Sequence, residues 1–144
     1  MGTRTLVVTE RTDGRFDCRY AHWGVRADPV AQSRPFGRGW TAEAVLAELD
    51  AGYDRLLVDD GHPRRYCVCW LDSTLDDFAD IALARTDDPA ALRAWWTALK
   101  SRAVDAVADG FGPETARTRL LDSLRRRADA VHLPDDASFL RGGD

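Results

Sequence analysis

Thr5-Leu6-Val7-Val8-Thr9 and Phe16-Asp17-Cys18-Arg19-Tyr20-Ala21-His22, joined through Thr12-Asp13-Gly14-Arg15, decide the fold. The first run is rich in β-branched residues, which suit a pleated and half-buried surface. Asp13-Gly14 is a strong short-range turn signal, because a type I′ turn needs φ > 0 at both central positions. The return run alternates. Phe16, Cys18, Tyr20 and His22 share one face, and Asp17, Arg19 and Ala21 share the other. The chain therefore opens on a β-hairpin whose core-facing side ends at His22-Trp23-Gly24.

The run from Arg4 to Gly24, with Leu-Val-Val-Thr-Glu-Arg-Thr-Asp-Gly-Arg-Phe and Tyr20-Ala-His-Trp-Gly24, resembles the N-terminus of an uncharacterised family of small haloarchaeal proteins. A weaker likeness covers residues 90–121. The resemblance implies a halophilic archaeal cytoplasm. It implies no activity and transfers no functional residue.

Outward from the hairpin, residues 25–39 hold two prolines and two glycines and read as a long loop. Thr41 reads as the N-cap of a short helix over 42–51, ended by Gly52. Arg55–Asp59 and Arg65–Leu71 form a second hairpin around Asp60-Gly61-His62-Pro63. On its return strand Cys67, Cys69 and Leu71 share one face, and Tyr66, Val68 and Trp70 share the other. Residues 72–86 read as helix or strand, with the strand placed at 79–85. Asp88 and Pro89 start a helix whose apolar stripe is Leu92, Trp95, Trp96, Leu99, Ala103, Val104 and Val107, closed by Gly110. A second helix follows Pro113, with a stripe running to Val131. These elements predict an α+β fold: a mainly antiparallel sheet of two β-hairpins, a fifth strand from 79–85, and a C-terminal helical hairpin on one sheet face. One domain over 1–134 with a loose tail over 135–144 is expected from the 144-residue length.

Composition narrows the setting. The chain carries 20 Asp against 4 Glu, and 19 Arg against the single Lys100. This bias fits a GC-rich genome, and surface Asp fits a salty cytosol; the net charge of −4 is mild. No run of 18 apolar residues is present, so no membrane span is expected, and a charged strand at the N-terminus does not read as a secretory leader. The expected location is cytoplasmic. Three cysteines in such a compartment do not suggest a disulfide framework.

Four residue sets bear on function. Cys18 and His22 on one strand and Cys67 and Cys69 on another would make a tetrahedral zinc set if their faces converged. Against this, buried cysteines are usually small core hydrophobes, and Cys-x-Cys on a strand is no standard zinc spacing. No cofactor is otherwise expected. His22, beside Trp23 and a long loop, is the candidate general base, with Cys18 as nucleophile or Asp28 and Asp59 as orienting carboxylates. Its competing role is structural, bonded to a backbone carbonyl. Arg125, Arg126 and Arg127 suggest nucleic acid. Acids one turn away, and salt that screens phosphate attraction, argue against it. Trp95, Trp96 and Trp23 are candidates for an apolar surface that contacts a protein partner or a second copy. The sequence favours this last reading: a binding or regulatory module. A small enzyme or metal protein centred on His22 is the alternative, and a nucleic-acid binder the third.

Overall fold

The computed structural model describes residues 4–21, 34–50, 52–71 and 80–141. Seven strands form one sheet in the order β3-β2-β1-β4-β5-β6-β7. β1 (Thr5–Glu10) and β2 (Phe16–Ala21) make the opening hairpin, with Val8 opposite Cys18. Its turn is longer than the two-residue type I′ loop expected. Gly14 N–H donates to Arg11 C=O at 3.1 Å, Gly14 has φ +79°, and Arg11 N–H donates to Arg15 C=O at 2.7 Å. One left-handed glycine after a four-residue turn is enough, and the Asp13 carboxylate accepts from Arg15 N–H at 3.0 Å.

β3 (Pro35–Trp40) lies, all but its last residue, inside the stretch expected to be loop. It is an edge strand, so Pro35 is tolerated where a central strand would lose a ladder bond. Thr41 caps α1 (Ala42–Glu48), accepting from Ala44 N–H at 3.1 Å. The helix stops three residues short of the expected end.

The chain then returns through the middle of the sheet. β4 (Arg55–Asp59) pairs parallel to β1, Leu6 opposite Leu56, while every other pairing is antiparallel. β1 is therefore central. Leu6, Val7 and Val8 are all fully buried, as a strand covered on both faces requires. β5 (Arg64–Trp70) and β6 (Ile81–Arg85) follow; the strand reading of 81–85 holds, and 72–79 lie outside the described residues. α2 (Pro89–Ala108) is capped by Asp88, which accepts from Ala91 N–H at 3.1 Å. α3 (Pro113–Arg127) ends before Val131. Residues Ala130–His132 instead form β7 on the edge of β6.

The sheet separates two cores. One holds Leu6, Val8, Phe16, Cys18, Leu56, Tyr66 and Val68 under α1 and a 3-10 helix (Ala137–Arg141). The other holds Cys67, Cys69, Ala82 and Ala84 under α2 and α3, which lie over β5, β6 and β7. The helices thus occupy both faces, and only the α2–α3 pair is confined to one. Residues 135–141, the described part of the tail expected to be loose, pack instead: Phe139 and Leu140 are buried. Arg64, 7% exposed, holds it there by donating to Phe139 C=O at 2.7 Å and Leu140 C=O at 3.1 Å.

Candidate functional site

The four-ligand set does not assemble from the described residues. Cys18 lies in the α1-side core, and Cys67 and Cys69 lie in the α2–α3 core across the sheet. Cys67 and Cys69 do meet, Sγ to Sγ at 3.8 Å, fully buried. Cys69 donates to Cys67, which lowers the Cys67 pKa and raises that of Cys69. Among the described residues, no three His, Cys, Asp or Glu side chains cluster as metal ligands. His22, Trp23 and Asp28 lie outside the described residues. Asp59 stands at the end of β4, where its carboxylate accepts from Gly61 N–H at 3.1 Å.

The tryptophan surface expected on α2 also needs correction. Trp96 is 0% exposed, because position 96 points straight at the sheet. Trp95 is half-buried, and the Arg127 guanidinium covers it 5.2 Å from the ring centroid. Arg125 pairs loosely with Asp122 at 4.0 Å, Arg117 grips Asp80 with Nη2–Oδ1 at 2.9 Å, and Arg119 sits over Phe111. Arg125, Arg126 and Arg127 are exposed, yet Arg125 is paired within α3 and Arg127 lies over Trp95 of α2. A groove of about 220 Å³ runs between α2 and α3, past Leu99, Ala103, Phe111 and Leu120.

The chemistry that does converge sits at the other end of the sheet, where β2, β3 and α1 meet. Phe36 stacks on Tyr20 at 4.2 Å and 16°, and Tyr20 on Tyr53 at 6.0 Å and 17°. Trp40 meets Phe36 edge-on at 5.7 Å. The Arg4 guanidinium lies 4.4 Å from the Tyr53 ring centroid and 5.2 Å from that of Tyr20. Phe36 is 39% exposed, one of two large apolar side chains exposed among the described residues.

Two local features hold this corner. Gly37 is buried against the Trp40 indole, so a side chain there would collide with the ring; the glycine is the seat on which Trp40 rests. Tyr53 is buried and donates its O–H to Glu48 Oε2 at 2.6 Å, which fixes the carboxylate at the end of α1. Trp40 and Glu48, with Thr41, Ala44 and Ala47, line a cleft of about 390 Å³. The burial of Tyr53 and its bond to Glu48 raise its pKa far above the phenol range.

Residues 1–51 match the model of DUF6735, a family of unknown function. The matched stretch carries Tyr20, Phe36, Gly37, Trp40 and Glu48, and stops just before Tyr53. It covers residues 4–24, where the sequence resemblance is strongest, and does not reach 90–121. No curated protein and no solved structure matches the chain.

From sequence, Trp40 counts among the tryptophans that could add to an apolar surface, but nothing groups it with Tyr20, Phe36, Tyr53 and Glu48. Phe36 and Trp40 share parity along Pro35-Phe-Gly-Arg-Gly-Trp40, which is a period-2 signal. The proline and two glycines obscured it. Among the described residues, no helix is long and apolar enough to cross a membrane.

Proposed function

We propose that the protein is a binding module that contacts another protein chain through the corner formed by β2, β3 and α1. The observation that carries this reading is Phe36: a large apolar ring, 39% exposed, stacked on Tyr20 and lying on an edge strand. A ring already immobilised by its neighbours loses little freedom when a partner covers it, which favours its use as an anchor. Aromatic side chains are enriched in the buried centres of such contacts. The surface therefore moves from the Trp95–Trp96 pair to Phe36 and Trp40. A partner protein and a second copy of this chain both fit the reading. The setting we infer is a saline cytoplasm, on the excess of Asp over Glu and the resemblance over residues 4–24.

Paired capture from source cells at native salt tests this, with tagged wild type and tagged Phe36→Asp as baits. Position 36 is exposed, so the variant should keep its circular dichroism spectrum. The expected result is a protein, or an untagged copy of the chain, retained by wild type and lost with Phe36→Asp. Equal recovery by both baits, or none by either, would overturn the proposal.

A further inference from the structure

We infer that the cleft between Trp40 and Glu48 receives an arginine side chain of a protein partner. This rests on the binding reading and specifies the chemistry of the same corner. The cleft joins an indole wall to a carboxylate, and these are the two groups that recognise a guanidinium together: one by stacking, the other by a charge-assisted pair. Both are fixed in place. Gly37 seats the indole, and the Tyr53 hydroxyl holds Oε2. Among the described residues the Tyr53 bond is the only hydrogen bond to the Glu48 side chain, so Oε1 remains to accept a ligand's N–H.

On the α1 side of the cleft the charge has the right sign. Glu48 stands at the C-terminal end of α1, where backbone carbonyls add partial negative charge, and the last turn holds no basic residue. Glu43 lies on the same short helix, and the Asp50 carboxylate follows it, accepting from Gly52 N–H. Arg4 sits behind the rings of Tyr53 and Tyr20 and is not part of the cleft lining. Arginine suits the site better than lysine because its flat cation can lie on the indole while its fork reaches the carboxylate. The cleft is shallow and flanked by exposed Phe36, so an arginine carried on a protein surface gains cover from the partner as well as from the cleft.

The test uses N-acetyl-arginine amide, titrated into the ¹⁵N-labelled full chain while the five tryptophan indole N–H signals are followed by NMR. Trp40→Phe assigns the Trp40 signal. The expected result is a saturable shift of that signal, weakened about tenfold or more in Glu48→Gln, which keeps an acceptor for Tyr53. The uncharged N-acetyl-citrulline amide should give no such shift. Ala47→Arg, at an exposed position on α1, should suppress the response by tethering a guanidinium at the cleft. An equal response to arginine and citrulline, an unaltered response in Glu48→Gln, or movement of some other indole signal instead would overturn the inference. The titration needs no partner protein. A negative result here beside a positive Phe36 capture discards the arginine and keeps the surface; a negative capture discards the surface.

Discussion

Tyr53 and Cys18 each hold a proton more tightly in the folded chain than in the open one. Burial is the main cause for both. The Glu48 hydrogen bond adds to it for Tyr53, and the Glu48 and Asp17 carboxylates add to it for Cys18. The Cys18 thiol is pushed up to about 12 from its ordinary 9.0. Above the ordinary value the unfolded chain releases the proton and the fold does not, so the unfolded state then binds fewer protons. Stability is full below that point and falls as pH climbs towards about 12. Tyr53 adds a decline of the same sign beginning near 10.0. Cys18→Ala should therefore be less stable than wild type at neutral pH, from lost packing, yet show a shallower loss between about pH 9 and about pH 11. Denaturant midpoints of the two proteins across that range check this, and parallel declines would contradict it.

At the scale of elements, the tail shows how a single side chain can decide whether a segment is ordered. The Arg64 guanidinium gives one nitrogen to Phe139 C=O and Tyr66 O–H, and the other to Leu140 C=O and Asp60. His132 stacks on Phe139 at 4.4 Å, so the 3-10 helix is also gripped by rings. Arg64→Met should destabilise the protein by about 3 kcal/mol, because two buried carbonyls lose their donors. Amide exchange at 137–141 should rise more than elsewhere; protection equal to wild type would refute the clamp. From sequence, Phe139 and Leu140 could be seen as able to dock, but the arginine that holds them is 75 residues away. The elements legible from sequence were those with a clean period and a marked end: β1, β2, β4, β5, and the capped starts of α1 and α2. β3 was hidden because an edge strand tolerates the proline and glycines that signal a loop. β7 was hidden because Ala128 and Val131 continue the helical stripe of α3. For the candidate site, each strand's phase could be read, but not which phases coincide. Leu6, Val7 and Val8 are apolar on both faces, so nothing local assigns Cys18 and Cys67 to opposite sides of the sheet.

For the molecule as a whole, the strand order follows the chain in two blocks. β3, β2 and β1 come from the first 51 residues with α1, and β4 to β7 come from the remainder with α2 and α3. The blocks meet along the parallel ladder from Thr5–Thr9 to Arg55–Asp59. The Asp54 carboxylate ties the same junction, accepting from Arg4 N–H at 2.8 Å and pairing with Arg93 at 2.9 Å. The family match ends close to this seam. The first block cannot close a core alone, since the α1-side core takes side chains from β1 and β2 as well as β4, β5 and the 3-10 helix, whereas the α2–α3 core lies wholly within the second block. The protein is thus a natural split system. Peptide 1–51, unfolded in isolation, should gain strand structure when mixed with 52–144, with a circular dichroism change that saturates at equal stoichiometry. A segment built this way can be inherited, exchanged or lent to a different second half without redesigning its own three strands, provided the new half offers one parallel edge to β1 and the apolar side chains that complete the α1-side core.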